Sequence, residues 1–292
     1  IVTVASSIPQ WVNADAAMKI LETPLTGFPD GMPYCSSVGN HDIEAGGGTT
    51  NYNTYFPISR FQGRSYYGGH YGTDNDNHYN LFSAGGMDFI VISLEYDTTP
   101  GQAVLDWADG LLKTYSNRRA IVASHYIVGT GNPASFGTQG QAIYNSLRNN
   151  PNLFLMVCGH ICEEGQRIDV FNGVTVHSLL SDYQCRNNGG DGWLRIMRFS
   201  PAFDTVSVQT YSVTLDRYET DASSQFSFSY DMDGPQGSAF AEIGALSAVP
   251  VGTTASVSWS GLDPGTAYEW YAEAIDCDTT VSTAPRTFTT AP

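Results

Sequence analysis

Positive charge is scarce in this 292-residue sequence: 13 Lys and Arg stand against 29 Asp and Glu, for a formal net charge of −16. No basic run occurs, so a nucleic-acid backbone is not expected as a standing partner. Long apolar runs are also lacking, and nothing approaches the ~20 residues of a membrane-crossing helix. Neither a secretory leader nor an initiator Met is present. The chain opens on the strand-like alternation Ile1-Val2-Thr3-Val4 and is expected to continue from residues upstream. A Gly-x-Ser-x-Gly elbow is missing, and neighbours on a strand such as Ser124 and His125 point to opposite faces. Together these set aside a serine hydrolase.

What the sequence does have is 30 Gly and 17 Tyr with only 14% charged residues, the profile of a loop-rich globular chain with much β-structure. Its length suits one large domain and a small one. Five cysteines leave one unpaired if disulfides form. Cys162 and Cys185, both in loop-like surroundings, are the favoured pair. Cys35 and Cys158 lie in apolar patterns and are expected to be buried thiols.

Residues 1–8 read as a strand, and Trp11–Leu21 as a helix with Ala14, Ala17, Met18 and Leu21 on one stripe. An apolar stretch, Met32–Val38, reads as a strand running into Gly39-Asn40-His41-Asp42. The following excursion, Gly46 to about Asn80, shows no helical period and is rich in Gly, Asn, Tyr and Asp. Regularity returns with the strand Asp88–Leu94, the helix around Val104–Leu112, the strand Ala120–Ser124, a helix over Gln139–Leu147 and the strand Leu153–Val157. Val174–Leu180, Trp193–Phe199 and Thr205–Tyr211 alternate and suggest a second, antiparallel sheet. A composition shift at Asp231–Gly237 marks a boundary between residues 1–232 and 238–292. The shorter part carries sandwich-spaced strands at Thr254–Trp259, Ala267–Ala272 and Pro285–Thr290.

The informative recurrence is at strand ends. Three apolar runs terminate in Asn40-His41, His125 and His160, and in an α/β sheet functional groups gather beyond the carboxyl ends of strands. Neutral imidazoles with an Asn oxygen suit a divalent transition metal, and a His backed by Asp suits proton transfer. His177, inside an alternating strand, is a further possible ligand or a structural residue.

In order and spacing, Gly39-Asn40-His41-Asp42, Ser124-His125 and Gly159-His160 resemble the motif series of the calcineurin-like metallophosphoesterases over residues 1–230. The resemblance implies an α/β (α+β) four-layer sandwich of two mixed sheets flanked by helices. It implies one or two divalent ions (Zn, Mn or Fe) and hydrolysis of a small-molecule phosphomonoester or phosphodiester. Carried over by position, Asn40, His125 and His160 are metal ligands, and His41 with Asp42 is the catalytic pair.

The sequence departs from the pattern twice. Neither Asp-x-His nor Gly-Asp-x-x-Asp precedes Gly39, with Val4-Ala5-Ser6-Ser7 standing near the place of Gly-Asp. The usual Gly-His-x-His is Gly159-His160-Ile161-Cys162, which makes Cys162 the last possible ligand. Most of one metal site is therefore expected to be lacking. The tail, with Leu262–Tyr268 and Thr287–Thr290, resembles part of a fibronectin type III module. It implies an all-β sandwich-like domain, an extracellular or cell-surface location and an open β edge available for self-assembly. A catalytically silent extracellular surface or filament subunit on the same fold is the alternative reading.

Overall fold

The computed structural model describes residues 1–232, 243–275, 280–283 and 286–291. Helix α1 (Ile8–Leu21) starts with Pro9 in its first turn, where a missing N–H costs nothing. Two short helices, α2 (Thr50–Tyr55) and α3 (Ile58–Phe61), follow inside the Gly/Asn-rich excursion. Their Tyr52 and Phe61, with Phe56 between them, join Trp11 of α1 and Val38 in a buried cluster. The excursion therefore packs on its own aromatics, and only part of it is irregular.

The main body is a nine-stranded sheet. Its strands are β1 (Tyr67–His70), β2 (His78–Ala84), β3 (Met87–Leu94), β4 (Arg119–Ser124), β5 (Val128–Gly131), β6 (Ala134–Phe136), β7 (Leu153–Cys158), β8 (Glu163–Phe171) and β9 (Val174–Asp182). They lie in the order β1-β2-β3-β4-β7-β9-β8-β5-β6. The central pairs β3/β4, β4/β7 and β7/β9 are parallel, so four carboxyl ends open on one edge of the sheet. Helices α4 (Gln102–Thr114) and α5 (Thr138–Leu147) make the crossovers. Leu105, Ala108 and Leu112 form the inner stripe of α4, at i, i+3 and i+7, and pack with Ile143 and Leu147 of α5 on Ile90, Ile92 and Val122.

The opposite face, through Phe89, Phe154, Leu155 and Leu179, meets a second sheet. That sheet is wholly antiparallel: β10 (Trp193–Ser200), β11 (Thr205–Ser212), β12 (Arg217–Glu219) and β13 (Gln225–Ser229). Along β11, Val206 and Val208 turn inward while Thr205, Ser207 and Gln209 face out, as a half-covered strand requires. Among the described residues the arrangement is three layers, helices on sheet on sheet. The expectation of two mixed sheets in four layers is corrected on both counts.

Other expectations shift as well. Val174–Leu180 belongs to the large sheet as β9, beside β7, because its apolar residues serve both faces. Residues 1–7 and 32–38 form no strand. The tail contributes two ribbons, β14 (Ala267–Trp270) with β17 (Arg286–Thr289), and β15 (Glu273–Ile275) with β16 (Thr280–Ser282). Trp259, Tyr268 and Phe288 cluster beside the first ribbon, but Thr254–Trp259 is not a strand. Residues 233–237 of the expected boundary, and Pro285, lie outside the described residues.

Candidate functional site

The carboxyl ends of β3, β4, β7 and β9 deliver Tyr96, His125, His160 and Asp182 to one edge. The segment carrying Asn40 lies across these ends without joining a ladder. Tyr96 N–H donates to the Val38 carbonyl at 2.9 Å, and Ser37 Oγ reaches the Ala123 carbonyl at 3.4 Å. A tight turn follows, closed by Asp42 N–H on the Gly39 carbonyl at 3.0 Å. Gly39 has a steric reason to be glycine: a Cβ there would stand 3.0 Å from His125 Cε1 and 3.3 Å from Asp42 Oδ2.

At the centre, His125 Nε2 lies 2.8 Å from Asn40 Oδ1 and 3.1 Å from His160 Nδ1. His160 reaches this position on a left-handed backbone, φ 75°, a conformation costly for a residue with a Cβ and typical of functional sites. Burial, with the charges of His160 and the chain's α-amine, pushes His125 down to about 4. Burial also lowers His160. Both rings are therefore neutral near pH 7, with lone pairs free for a ligand or proton. One Nε2 can supply at most a single proton, yet it faces both an amide oxygen and a second ring nitrogen.

That convergence fits a cation. Donors ~2.1 Å from one ion at tetrahedral or right angles lie roughly 3.0–3.4 Å apart, near the spacings seen. Among the described residues no group of three or more His, Cys, Asp or Glu is placed to hold a metal. Counting the Asn40 oxygen gives three donors, enough for part of one shell and not for two ions.

Asp42 and His41 do not pair, contrary to expectation. The Asp42 carboxylate is fully buried and accepts Gly39 N–H at 2.7 Å, Val2 N–H at 2.8 Å and the Ile1 amine at 3.0 Å. It is committed to holding the backbone of the turn. His41 is exposed and its Nδ1 sits 2.9 Å from the Thr3 carbonyl, which leaves Nε2 as the functional nitrogen. The residues against Asp42 are thus Gly39, Val2 and Ile1.

Two further candidates lie elsewhere. Cys162 is bonded to Cys185, so its sulfur offers no thiolate, while Cys35 and Cys158 are free and partly buried. His177 is inside β9, stacked on Phe228 of β13 with ring centroids 3.8 Å apart, among the residues joining the two sheets. It pairs in register with Leu155, three residues short of the strand end where Cys158 stands beside Leu180.

His177 and the buried His78 have a measurable consequence. Burial holds both at about 4, against 6.5 in a free side chain. Above pH 6.5 neither folded nor unfolded chains bind the proton, so nothing is lost. Between 6.5 and 4 the unfolded state takes it up and the folded state refuses it, so stability falls with pH, by about 3 kcal/mol per ring at the acid limit. Urea unfolding at pH 7 and pH 4 should show this fall, and His177→Phe should reduce it by one ring's share.

Sequence reasoning missed three residues of this edge. The Tyr96 ring lies 5.7 Å from that of His125 and 5.3 Å from that of His160, and Tyr126 lies 4.8 Å from His160. The Asp182 carboxylate is close behind Gly159, and its charge acts on His160. A place at or just past the carboxyl end of a strand was the available signal for all three.

No family model matches the chain. The uncharacterized protein YvnB of Bacillus subtilis (strain 168) is 31% identical over 298 residues, covering 93% of this chain and 22% of YvnB. The chain therefore spans about a fifth of that relative's length. Among solved structures, a dimetal phosphatase from Danio rerio aligns with a TM-score of 0.39 at 11% identity, over 53% of this chain and 61% of that one. GAP50, the anchor in the inner membrane complex of Plasmodium, aligns with a TM-score of 0.42 at 11% identity, over 86% and 85%. Both scores are too low to carry an argument about this chain.

Proposed function

We propose that the chain is the core of a secreted, metal-dependent phosphoester hydrolase related to the calcineurin-like metallophosphoesterases. The observation that carries this is the convergence of Asn40 Oδ1, His125 Nε2 and His160 Nδ1 beyond parallel strand ends. These three would hold one divalent ion of the Zn, Mn or Fe class. Such an ion, when bound, polarises phosphoryl oxygens and makes water a better nucleophile at neutral pH.

His41 is the proton donor in this reading. Nδ1–H donates to the Thr3 carbonyl, so it is the imidazolium form of His41, protonated on both nitrogens, that presents Nε2–H to the leaving oxygen as the bond to phosphorus breaks. A water oxygen forms the new bond to phosphorus and loses its proton to solvent. The buried Asp42 keeps the Gly39–Asp42 turn in place and touches no substrate. The Ile1 nitrogen lies against Asp42, so an N-terminal extension would emerge beside this same site. The Cys162–Cys185 bond supports an oxidising, extracellular address.

The test is elemental analysis combined with hydrolysis of a chromogenic phosphodiester in Mn or Zn, using this 292-residue chain and an N-terminally extended form. The expected result is about one tightly held ion per chain and metal-dependent turnover. No retained metal and no turnover in either form would refute the proposal. That outcome would favour the second reading, a silent surface or filament subunit assembling through an open β edge. The loss of the Cys162 sulfur to a disulfide is the observation on that side.

A further inference from the structure

We infer that the site is built for a phosphodiester bearing an aromatic substituent, and against dianionic phosphomonoesters; this rests on the hydrolase reading above. Charge is the first ground. A phosphomonoester carries close to two negative charges at pH 7, since its second pKa is ~6, and a diester carries one. Sites that hold dianions supply Arg or Lys forks.

Arg119, Arg186 and Arg195 are engaged elsewhere. Arg119 begins β4, at the opposite end from His125, and bonds Tyr230 and the Asp231 and Met232 carbonyls. Arg186, nearest in sequence to Asp182, is paired with Glu163 and Glu219, and Arg195 is paired with Glu164. Among the described residues no Lys or Arg side chain bonds the Asn40–Asp42 turn; its positive groups are the Ile1 amine, already on Asp42, and His41 when it is protonated. Asp182 adds negative charge behind His160. Without an Arg or Lys fork to add to one divalent ion, such surroundings suit a monoanion better than a dianion.

Shape is the second ground. Tyr96 and Tyr126 flank the imidazoles with ring centroids 4.8–5.7 Å away, and both are partly open to solvent. Tyr96 is anchored by its backbone on Val38, and Tyr126 is packed against Gly137, where a Cβ would stand 2.3 Å from the ring. Fixed aromatic faces beside a reacting centre stack on flat substituents and give bare phosphate no comparable contact. In hydrolysis a water oxygen bonds to phosphorus and one ester oxygen leaves with the proton from His41. The retained ester group is then free to lie on a tyrosine.

The experiment holds the leaving group constant. Phenyl 4-nitrophenyl phosphate, methyl 4-nitrophenyl phosphate and 4-nitrophenyl phosphate are compared on the Mn-loaded chain, and binding of diphenyl phosphate and phenyl phosphate is measured by calorimetry. Expected are a kcat/KM at least about 10-fold higher for the phenyl diester than for the monoester, and about 5–10-fold higher than for the methyl diester. Tyr96→Leu should raise KM for the phenyl diester alone, and Tyr96→Phe, which keeps the ring, should restore it. Preference for the monoester, or equal phenyl and methyl rates, overturns the inference while leaving the hydrolase reading intact. Tighter binding of diphenyl phosphate without turnover supports the inference and refutes hydrolysis. Weaker or equal binding of diphenyl phosphate, again without turnover, overturns both.

Discussion

His125→Ala should strip the site of its ion and lower metal-dependent phosphodiester turnover by at least about 100-fold, with the fold retained. The reasoning is geometric. His125 Nε2 is the atom that both other donors approach, at 2.8 and 3.1 Å, so its loss leaves Asn40 and His160 without a shared centre. Removing residues that merely orient metal ligands already costs 10–100-fold in affinity or activity, and a central ligand should cost more. The fold should survive because the ring sits past the end of β4, outside the cluster of Ile90, Ile92 and Val122. His41→Ala is the informative partner variant: it should lower turnover while metal content, read by elemental analysis, stays unchanged. A His125→Ala chain that keeps its metal would remove the assignment.

The largest stability effect should come from the junction of the two sheets. Glu164 of β8 and Arg195 of β10 form an ion pair with side chains only 3% and 4% exposed. The carboxylate also accepts Tyr183 OH at 2.7 Å, Thr210 Oγ1 at 2.6 Å and Ser224 Oγ at 2.7 Å. Burial alone would push the Glu164 pKa up. The three hydroxyls and the Arg195 charge more than offset that and hold it low. Removing one partner strands the other charge in a dry junction, a loss of about 3–5 kcal/mol. Arg195→Met should show that loss in urea unfolding at pH 7. Glu164→Gln with Arg195→Met should recover much of it, because no uncompensated charge then remains. Equal losses in the single and double variants would mean that packing, not charge, dominates.

Much of this architecture can be read from residue patterns, for definite reasons. Asp88–Leu94, Ala120–Ser124 and Leu153–Val157 are continuous apolar runs because helices cover one face and a second sheet the other. Strand β8 was invisible because Glu163-Glu164-Gly165-Gln166-Arg167 breaks any apolar period while its backbone still pairs with β9. Met32–Val38 looks like a strand, yet its apolar residues pack with α1 and α2 and its backbone makes only single bonds to neighbours.

At the site, the Asn and His residues stood out by type and position. His177 matched the type alone, and only its register beside Leu155 shows that it lies short of the strand end. Tyr96, Tyr126 and Asp182 belong to types too common to single out until neighbouring strands are known to be parallel and in register. Asp42 looked like a catalytic partner because it follows His41. The backbone N–H groups that claim it come from Gly39 in the turn itself and from Val2, 40 positions earlier.

Asn40 and His125 stand 85 positions apart along the chain, yet their side-chain atoms are 2.8 Å from each other. An ion held between them would therefore be a removable cross-link as well as a chemical reagent. By the loop-closure entropy of a permanent bridge, a tie across that span restricts the unfolded chain by about 4–5 kcal/mol. The segment it would fasten, Ser36 to Asp42, makes no strand pairing of its own. Metal supply would thus set how firmly this segment is attached to the sheet, and chelation would loosen it before disturbing the layers beneath.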